Sequence, residues 1–354
     1  MDPISVLSLF AGLALLIKGS DLFVRSSASI ARRLRVSELI IGLTLVSIGT
    51  SIPEYASAIM SSILRQSDLI TGNITGANIS NICLVTGAAA IFARLKMNRS
   101  VAERDAYILL ISSILFYITI QNSQISAREG LSFLFLYGVY MLFLLENSQE
   151  EACCYRFSEF AAYFFRFKYL STLRNGLTRN GAFLKDNLNR IRHNELKKES
   201  IDSSAAKDIL TAALGGIFIF FGAEYFIKGA IYAAEAFEIP KTVIGVMLSI
   251  GTTLPELSVS VMAARKGFGD ISIGNVVGSC ITNILLIIGT AAIISPIDIS
   301  EMTLNYTVPV LIFMSLVLFC MLKIRPEVRR SEGAILLVLY ALFMIFLIKS
   351  PFTA

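Results

Sequence analysis

The sequence predicts an all-α integral membrane protein of about ten transmembrane helices, arranged as two inverted five-helix repeats. Three observations predict it: a composition too apolar for water, ten apolar segments in series, and two dissimilar motifs that recur at one internal spacing in both halves. Of 354 residues, 55% are hydrophobic and only 16% charged, against about 25% charged in ordinary soluble chains. The mean hydropathy is +0.69. Stretches 6–17, 109–120, 131–145 and 308–322 carry no charge. With their flanks they approach the roughly 20 apolar residues that cross a hydrocarbon core. A soluble core could hide one or two such runs, but not ten.

Taken in order, the spans are approximately 4–30, 37–64, 69–93, 105–121, 129–146, 208–236, 241–264, 270–295, 303–322 and 333–349. Alternate connections separate the basic residues by side. One side collects Arg32, Arg33 and Arg35, then Arg94, Lys96, Arg99 and Arg104, then the central segment, then Arg265 with Lys266, and finally Lys323, Arg325, Arg329 and Arg330. The other side holds little more than Arg65, Arg128, Lys241 and Lys349. Positive charge stays cytoplasmic, so both termini are expected outside and the central loop inside. The net charge of +5 thus reads as topology rather than nucleic-acid affinity.

The spans divide the chain into a first transmembrane repeat, 1–146, a basic cytoplasmic loop, 147–206, and a second transmembrane repeat, 207–354. The N-terminal Met1-Asp2-Pro3 lacks the basic start of a cleavable signal peptide. In the loop, Cys153-Cys154-Tyr155-Arg156-Phe157 and Phe164-Phe165-Arg166-Phe167-Lys168-Tyr169 interleave aromatic and basic residues. That pattern suits an amphipathic helix lying among lipid headgroups; the alternative is a solvated linker with some local helix. Cys83, Cys280 and Cys320 fall in apolar segments, Cys153 and Cys154 are adjacent, and His193 is the only histidine. A disulfide framework, a zinc site and a haem are therefore not expected, nor is any resident cofactor. An enzyme is the least favoured class, because no nucleophile–base pair stands out.

The two halves of the chain repeat each other. Residues 40–54 end in Gly49-Thr50-Ser51-Ile52-Pro53-Glu54, and residues 243–256 end in Gly251-Thr252-Thr253-Leu254-Pro255-Glu256. Downstream, the block from Gly72-Asn73 to Asn81 matches the block from Gly274-Asn275 to Asn283. Glu54 and Asn73 are 19 apart, as are Glu256 and Asn275. The copies are offset by 202 from Gly49 to Gly251 but by 203 from Asp21 to Glu224, so the second has lost one residue before Gly251. The two Pro-Glu motifs lie in spans two and seven, five apart. An odd separation runs the copies in opposite directions through the bilayer, the plan of transporters that place their site at the repeat interface.

A carboxylate inside a membrane costs about 2.5–3.5 kcal/mol on insertion scales. Glu54 and Glu256 each sit mid-segment without a basic residue at nearby helical positions. Brought together by symmetry, they would repel unless a cation lay between them. Pro53 and Pro255 break the helical ladder and free carbonyls, while Thr50, Ser51, Thr252 and Thr253 add hydroxyls. Asn73, Ala77 and Asn81 share one helix face, and Asn275, Ser279 and Asn283 the equivalent one. Oxygen-only ligation suits hard cations such as Ca2+. The glycines taken alone read as packing residues, and Asp21 and Glu224 as residues that orient helices.

The paired G-T-[ST]-x-P-E and G-N-x-x-G-x-x-x-x-N blocks resemble the alpha repeats of the cation/calcium exchanger superfamily, and within it the prokaryotic sodium/calcium exchangers. The resemblance spans both membrane halves and omits the central loop. It implies a secondary antiporter of the cell membrane, with Na+ and Ca2+ as transported ions and the bilayer as surroundings. It also implies that Glu54 and Glu256 are central ligands of Ca2+ and Na+. Thr50 and Thr252 would serve Ca2+; the carbonyls of Ser47 and Ser249, with the side chains of Ser51, Thr253 and Ser279, would serve Na+. Asn81 and Asn283 would line the middle of the site. Three residues depart from the pattern: Ala77 stands opposite Ser279, Cys280 replaces an asparagine, and Asn283 replaces an acid found in some relatives. The alternative is a H+/Ca2+ exchanger using the same glutamates or, more distantly, a cation channel or membrane-embedded binding regulator.

Overall fold

The computed structural model describes residues 3–34, 36–147, 156–172, 174, 199–236, 251 and 253–349. Helix α1 is Pro3–Leu34. Next come α2, Glu38–Thr50, and α3, Ile52–Ile63, bent by 49° about Ser51. Helix α4 is Ser67–Phe92, and a π-helical turn, Val101–Asp105, leads into α5, Ala106–Thr119. Helix α6 is Ala127–Glu146 and α7, in the central loop, is Phe157–Phe165. The second half holds α8, Glu199–Ala236, and α9, Leu254–Arg265. It closes with α10, Gly269–Ile294, α11, Thr303–Ile324, and α12, Arg330–Lys349.

Six helices are long and apolar enough to cross a membrane alone, and the bent α2–α3 pair makes a seventh. Helix α1 and the run from the π turn through α5 bring the spans among the described residues to nine, and α9 lies where the sequence places the end of the tenth. Residues 237–250, before α9, lie outside the described residues. Large apolar side chains such as Phe10, Ile63, Leu131, Phe313 and Val338 face outward, as they must where the solvent is hydrocarbon.

The inverted repeat is legible in contacts. Two-stranded pairs close the loops: β1 (Leu95–Lys96) with β4 (Glu327–Val328), and β2 (Gln124–Ile125) with β3 (Ile297–Asp298). Adding 202 to Leu95 gives Ile297, and adding 203 to Ile125 gives Val328, so each pair is the image of the other. Tyr137 meets Thr282 at 3.2 Å, and its image Tyr340 meets Ser80 at 3.0 Å. Residues that touch their own images mark the pseudo-two-fold axis. Ser113 lies 3.3 Å from Ser315, and Asn78 bonds Cys280, both 202 apart.

The span expected at 37–64 is broken at Ser51, as the missing N–H of Pro53 requires and as the sequence leads one to expect. One boundary departs from the sequence expectation. The helix expected at 208–236 starts at Glu199, within the segment assigned to the loop. The central loop also carries α7, docked on the bundle by aromatic contacts: Phe160 on Tyr140 and Phe143 (6.2 and 5.5 Å) and Phe157 on Tyr107 (5.5 Å). Arg156 pairs with Glu103 at 3.1 Å and Thr172 donates to Glu146 at 2.6 Å, fastening the chain before and after it. Beneath it, Arg104 and Asp105 form a buried two-point ion pair (2.8 and 3.0 Å), with Tyr140 donating to Asp105 at 3.2 Å. Burial strips these charges of water, and only mutual pairing offsets that cost.

Candidate cation site

The break after Ser51 builds one half of the site. Pro53 occupies the first turn of α3, where its missing N–H costs nothing, and Glu54 follows it. Pro255 and Glu256 hold the same places in α9. Each carboxylate therefore sits at the positive end of a half-helix dipole. Helix α2 ends at the same break, and Pro53 has no N–H to give the Gly49 carbonyl one turn back, the kind of broken helix that serves ions in transporters.

Helix α10 crosses α2 closely enough to join the repeats. A side-chain carbon at Gly278 would lie 2.7 Å from the Leu43 carbonyl and from Ser47 Oγ. One at Gly274 would lie 3.1 Å from Gly42 Cα. Only glycine permits this approach. It lets Ser279 Oγ donate to the Ser47 carbonyl at 3.4 Å and Thr50 Oγ1 donate to Asn275 Oδ1 at 3.0 Å. The amide of Asn275 in turn donates to Ser260 Oγ at 2.9 Å and to the Glu256 carbonyl at 3.4 Å. Ser51 Oγ, three residues before Glu54, donates to Glu256 Oε1 at 3.4 Å. Ser51 thus links the start of α3, where Glu54 lies, to the carboxylate of Glu256.

The chemistry is written in what these oxygens lack. Among the described residues, Ser27 Oγ, both carboxylate oxygens of Glu54, Glu256 Oε2, Asn81 Oδ1 and Asn283 Oδ1 are the buried side-chain polar atoms without a hydrogen-bond partner. Apart from the Ser27 hydroxyl, all are acceptors, drawn from both repeats. A buried unsatisfied acceptor costs about 1–3 kcal/mol, more when charged. The five come from two pairs of images across the pseudo-two-fold axis, Glu54 with Glu256 and Asn81 with Asn283. A hard cation would satisfy them together.

Nine of the eleven expected site residues are placed and buried: Ser47, Thr50, Ser51, Glu54, Asn81, Thr253, Glu256, Ser279 and Asn283. Thr252 and Ser249 lie outside the described residues. The contacts join Ser47 to Ser279 and Ser51 to Glu256 directly. Sequence reasoning put Asn275 on the polar stripe but missed that it ties Thr50 to the backbone of Glu256. Its signal was its place 19 residues after that glutamate. Asp21 stands apart, paired with Arg25 at 3.2 Å and Lys266 at 2.5 Å. Those contacts fasten α1 to the end of α9 and fit the helix-orienting reading. Ala77 is buried and brings no hydroxyl where its image, Ser279, has one.

Comparison with known proteins accords with this arrangement. The family described as "Sodium/calcium exchanger protein" matches residues 4–146 and 207–349. The sodium/calcium exchanger MaX1 of Methanosarcina acetivorans is 42% identical over 348 residues, covering 98% of this chain and 99% of its own. The inner membrane protein YrbG of Escherichia coli is 28% identical over 331 residues, covering 93% and 92%. A solved structure of the sodium-calcium exchanger NCX_Mj, soaked with zero Na+ and Ca2+, superposes with a TM-score of 0.77 at 26% identity over 98% of this chain and 99% of that one. With both halves matched and the inverted architecture shared from end to end, this chain belongs to the sodium/calcium exchanger family.

Proposed function

We propose that the chain is a secondary antiporter exchanging Na+ for Ca2+ by alternating access at the carboxylate site between its repeats. The observation that carries this reading is the set of buried acceptor oxygens on Glu54, Glu256, Asn81 and Asn283. Oxygens held this way bind one Ca2+ or the Na+ ions that replace it, but not both at once. Shared ligands force the ions to alternate, which couples their fluxes. The names of the relatives support Na+ as the counter-ion. Both termini are assigned to the outside and 147–206 to the cytoplasm, on the charge bias of the loops.

Proteoliposomes holding the purified chain test the proposal. Ca2+ uptake should follow an imposed Na+ gradient with the pH gradient collapsed, and stop when the gradient is reversed or the counter-ion becomes K+. Uptake driven by a pH gradient alone would favour a H+/Ca2+ exchanger, and flux that needs no counter-ion a channel. Glu54→Gln and Glu256→Gln keep side-chain size and remove the charge. Each should abolish Ca2+ uptake while the protein elutes as the parent does on size exclusion. Transport at parental rates in both would reject the site.

A further inference from the structure

Asn78 lies on the pseudo-two-fold axis and is fully buried, but it stands outside the set of candidate cation ligands. Its amide is locked from both ends. Nδ2 donates to the Cys280 carbonyl at 3.3 Å, and a carbonyl can only accept. The orientation is thereby settled, and Oδ1 is left to meet a donor. That donor is Nδ2 of Asn283, at 2.9 Å. Because the Asn283 nitrogen faces Asn78, its own Oδ1 is turned away, buried and without a partner.

We propose that Asn78 is a positioning residue: it holds the Asn283 amide with the oxygen, rather than the nitrogen, turned toward the cations. An amide is a dipole, and rotation by half a turn would replace a ligand with two positive hydrogens. Bonding the nitrogen elsewhere costs the site nothing at the moment of ion entry and removes the wrong rotamer in advance, which is preorganisation. The inference rests on the reading of Glu54 and Glu256 as the cation ligands.

Pseudo-symmetry sharpens it. The image of Asn283 is Asn81, and the image of Asn78 is Cys280, each 202 positions away. Cys280 returns only a weak thiol contact to the Asn78 carbonyl, at 3.7 Å. A thiol is a poor acceptor and cannot reproduce the amide's paired donor and acceptor. The second-repeat asparagine is therefore held by its neighbour across the axis, whereas the first-repeat asparagine has no amide at the corresponding place. The cysteine makes the two halves of the site unequal.

The test exchanges the two residues. Asn78→Leu and Asn78→Cys both remove the relay, and each should raise the apparent KM for Ca2+ and for Na+ by about tenfold, the scale of a lost buried hydrogen bond. The maximal rate should hold within about twofold, since the carboxylates stay in place. The double variant Asn78→Cys/Cys280→Asn rebuilds the relay in mirror image, now orienting Asn81, and should return KM to within about threefold of the parent. Ca2+-dependent thermal stabilisation of the purified protein gives a binding readout independent of flux. A parental KM in both single variants overturns the proposal, as does a double variant no better than Asn78→Cys alone. Ca2+ stabilisation that persists in Glu54→Gln and Glu256→Gln would instead overturn the underlying site, which separates the two failures.

Discussion

Glu54 and Glu256 are 202 positions apart in sequence, yet the hydroxyl three residues before the first bonds the carboxylate of the second. At this scale the site is a balance between acceptors and the few donors allowed near them. Thr50 and Ser279 donate to Asn275 and to the Ser47 carbonyl, so those hydroxyl hydrogens are directed away and their oxygens keep lone pairs for an ion. Ala77 breaks the equivalence. Ala77→Ser should restore the oxygen and lower the apparent KM for Na+ by about three- to tenfold, the worth of one polar contact. The KM for Ca2+ should change less, because carboxylates dominate ligation of the doubly charged ion. Na+ titration of Ca2+ uptake reads both, and an unchanged Na+ response would show that position 77 faces no ion. The residue types were legible in the sequence because a carboxylate in hydrocarbon demands a reason. The bond from Asn275 to the Glu256 carbonyl was not, since a side chain's partner depends on which helix crosses it.

Among the elements, the approach of α10 to α2 decides whether the repeats meet. Gly278→Ala would place a carbon 2.7 Å from the Leu43 carbonyl and Ser47 Oγ. Overpacking of this kind costs about 1–3 kcal/mol, so a lowered melting temperature and lost Ca2+ uptake are expected together. Transport at parental rates would mean the crossing is looser than the structure shows. The central-loop helix α7 belongs to this scale too. Arg156 before it and Thr172 after it reach Glu103, in the turn that leads into α5, and Glu146, at the end of α6. Phe165, Phe167 and Leu170 stay exposed beside Arg166 and Lys168. Phe167 turns the chain with a left-handed φ of 53°. Such a mix of apolar and basic side chains fits the headgroup region. The chain has no tryptophan, so Phe165→Trp supplies a single reporter. Brominated lipid should quench its emission, and red-shifted, unquenched emission would place the segment in water.

For the whole molecule, the pseudo-two-fold axis through Ser113–Ser315 and Asn78–Cys280 holds the halves in register. Ser113→Cys/Ser315→Cys should cross-link under mild oxidation, keeping the halves joined on a gel after the central loop is cut. Failure to cross-link would displace the axis. Thiol labelling of single cysteines placed in the loop and at the termini checks the topology, which predicts that only the terminal ones react from outside. The sequence by itself determined the membrane environment, the number of spans, the duplication and its inversion. Those follow from local hydropathy, from charge bias and from an odd count of crossings, none of which needs a contact. Only the tertiary structure decided which oxygens remain without donors, which amide orients Asn283, and where the loop helix rests. The last rests on pairs some 20 to 50 residues apart, such as Tyr140 and Phe160; the first two are properties of pairs some 200 residues apart, such as Asn78 and Asn283. No periodicity within one helix encodes them, because they arise where two antiparallel copies of one motif are pressed together.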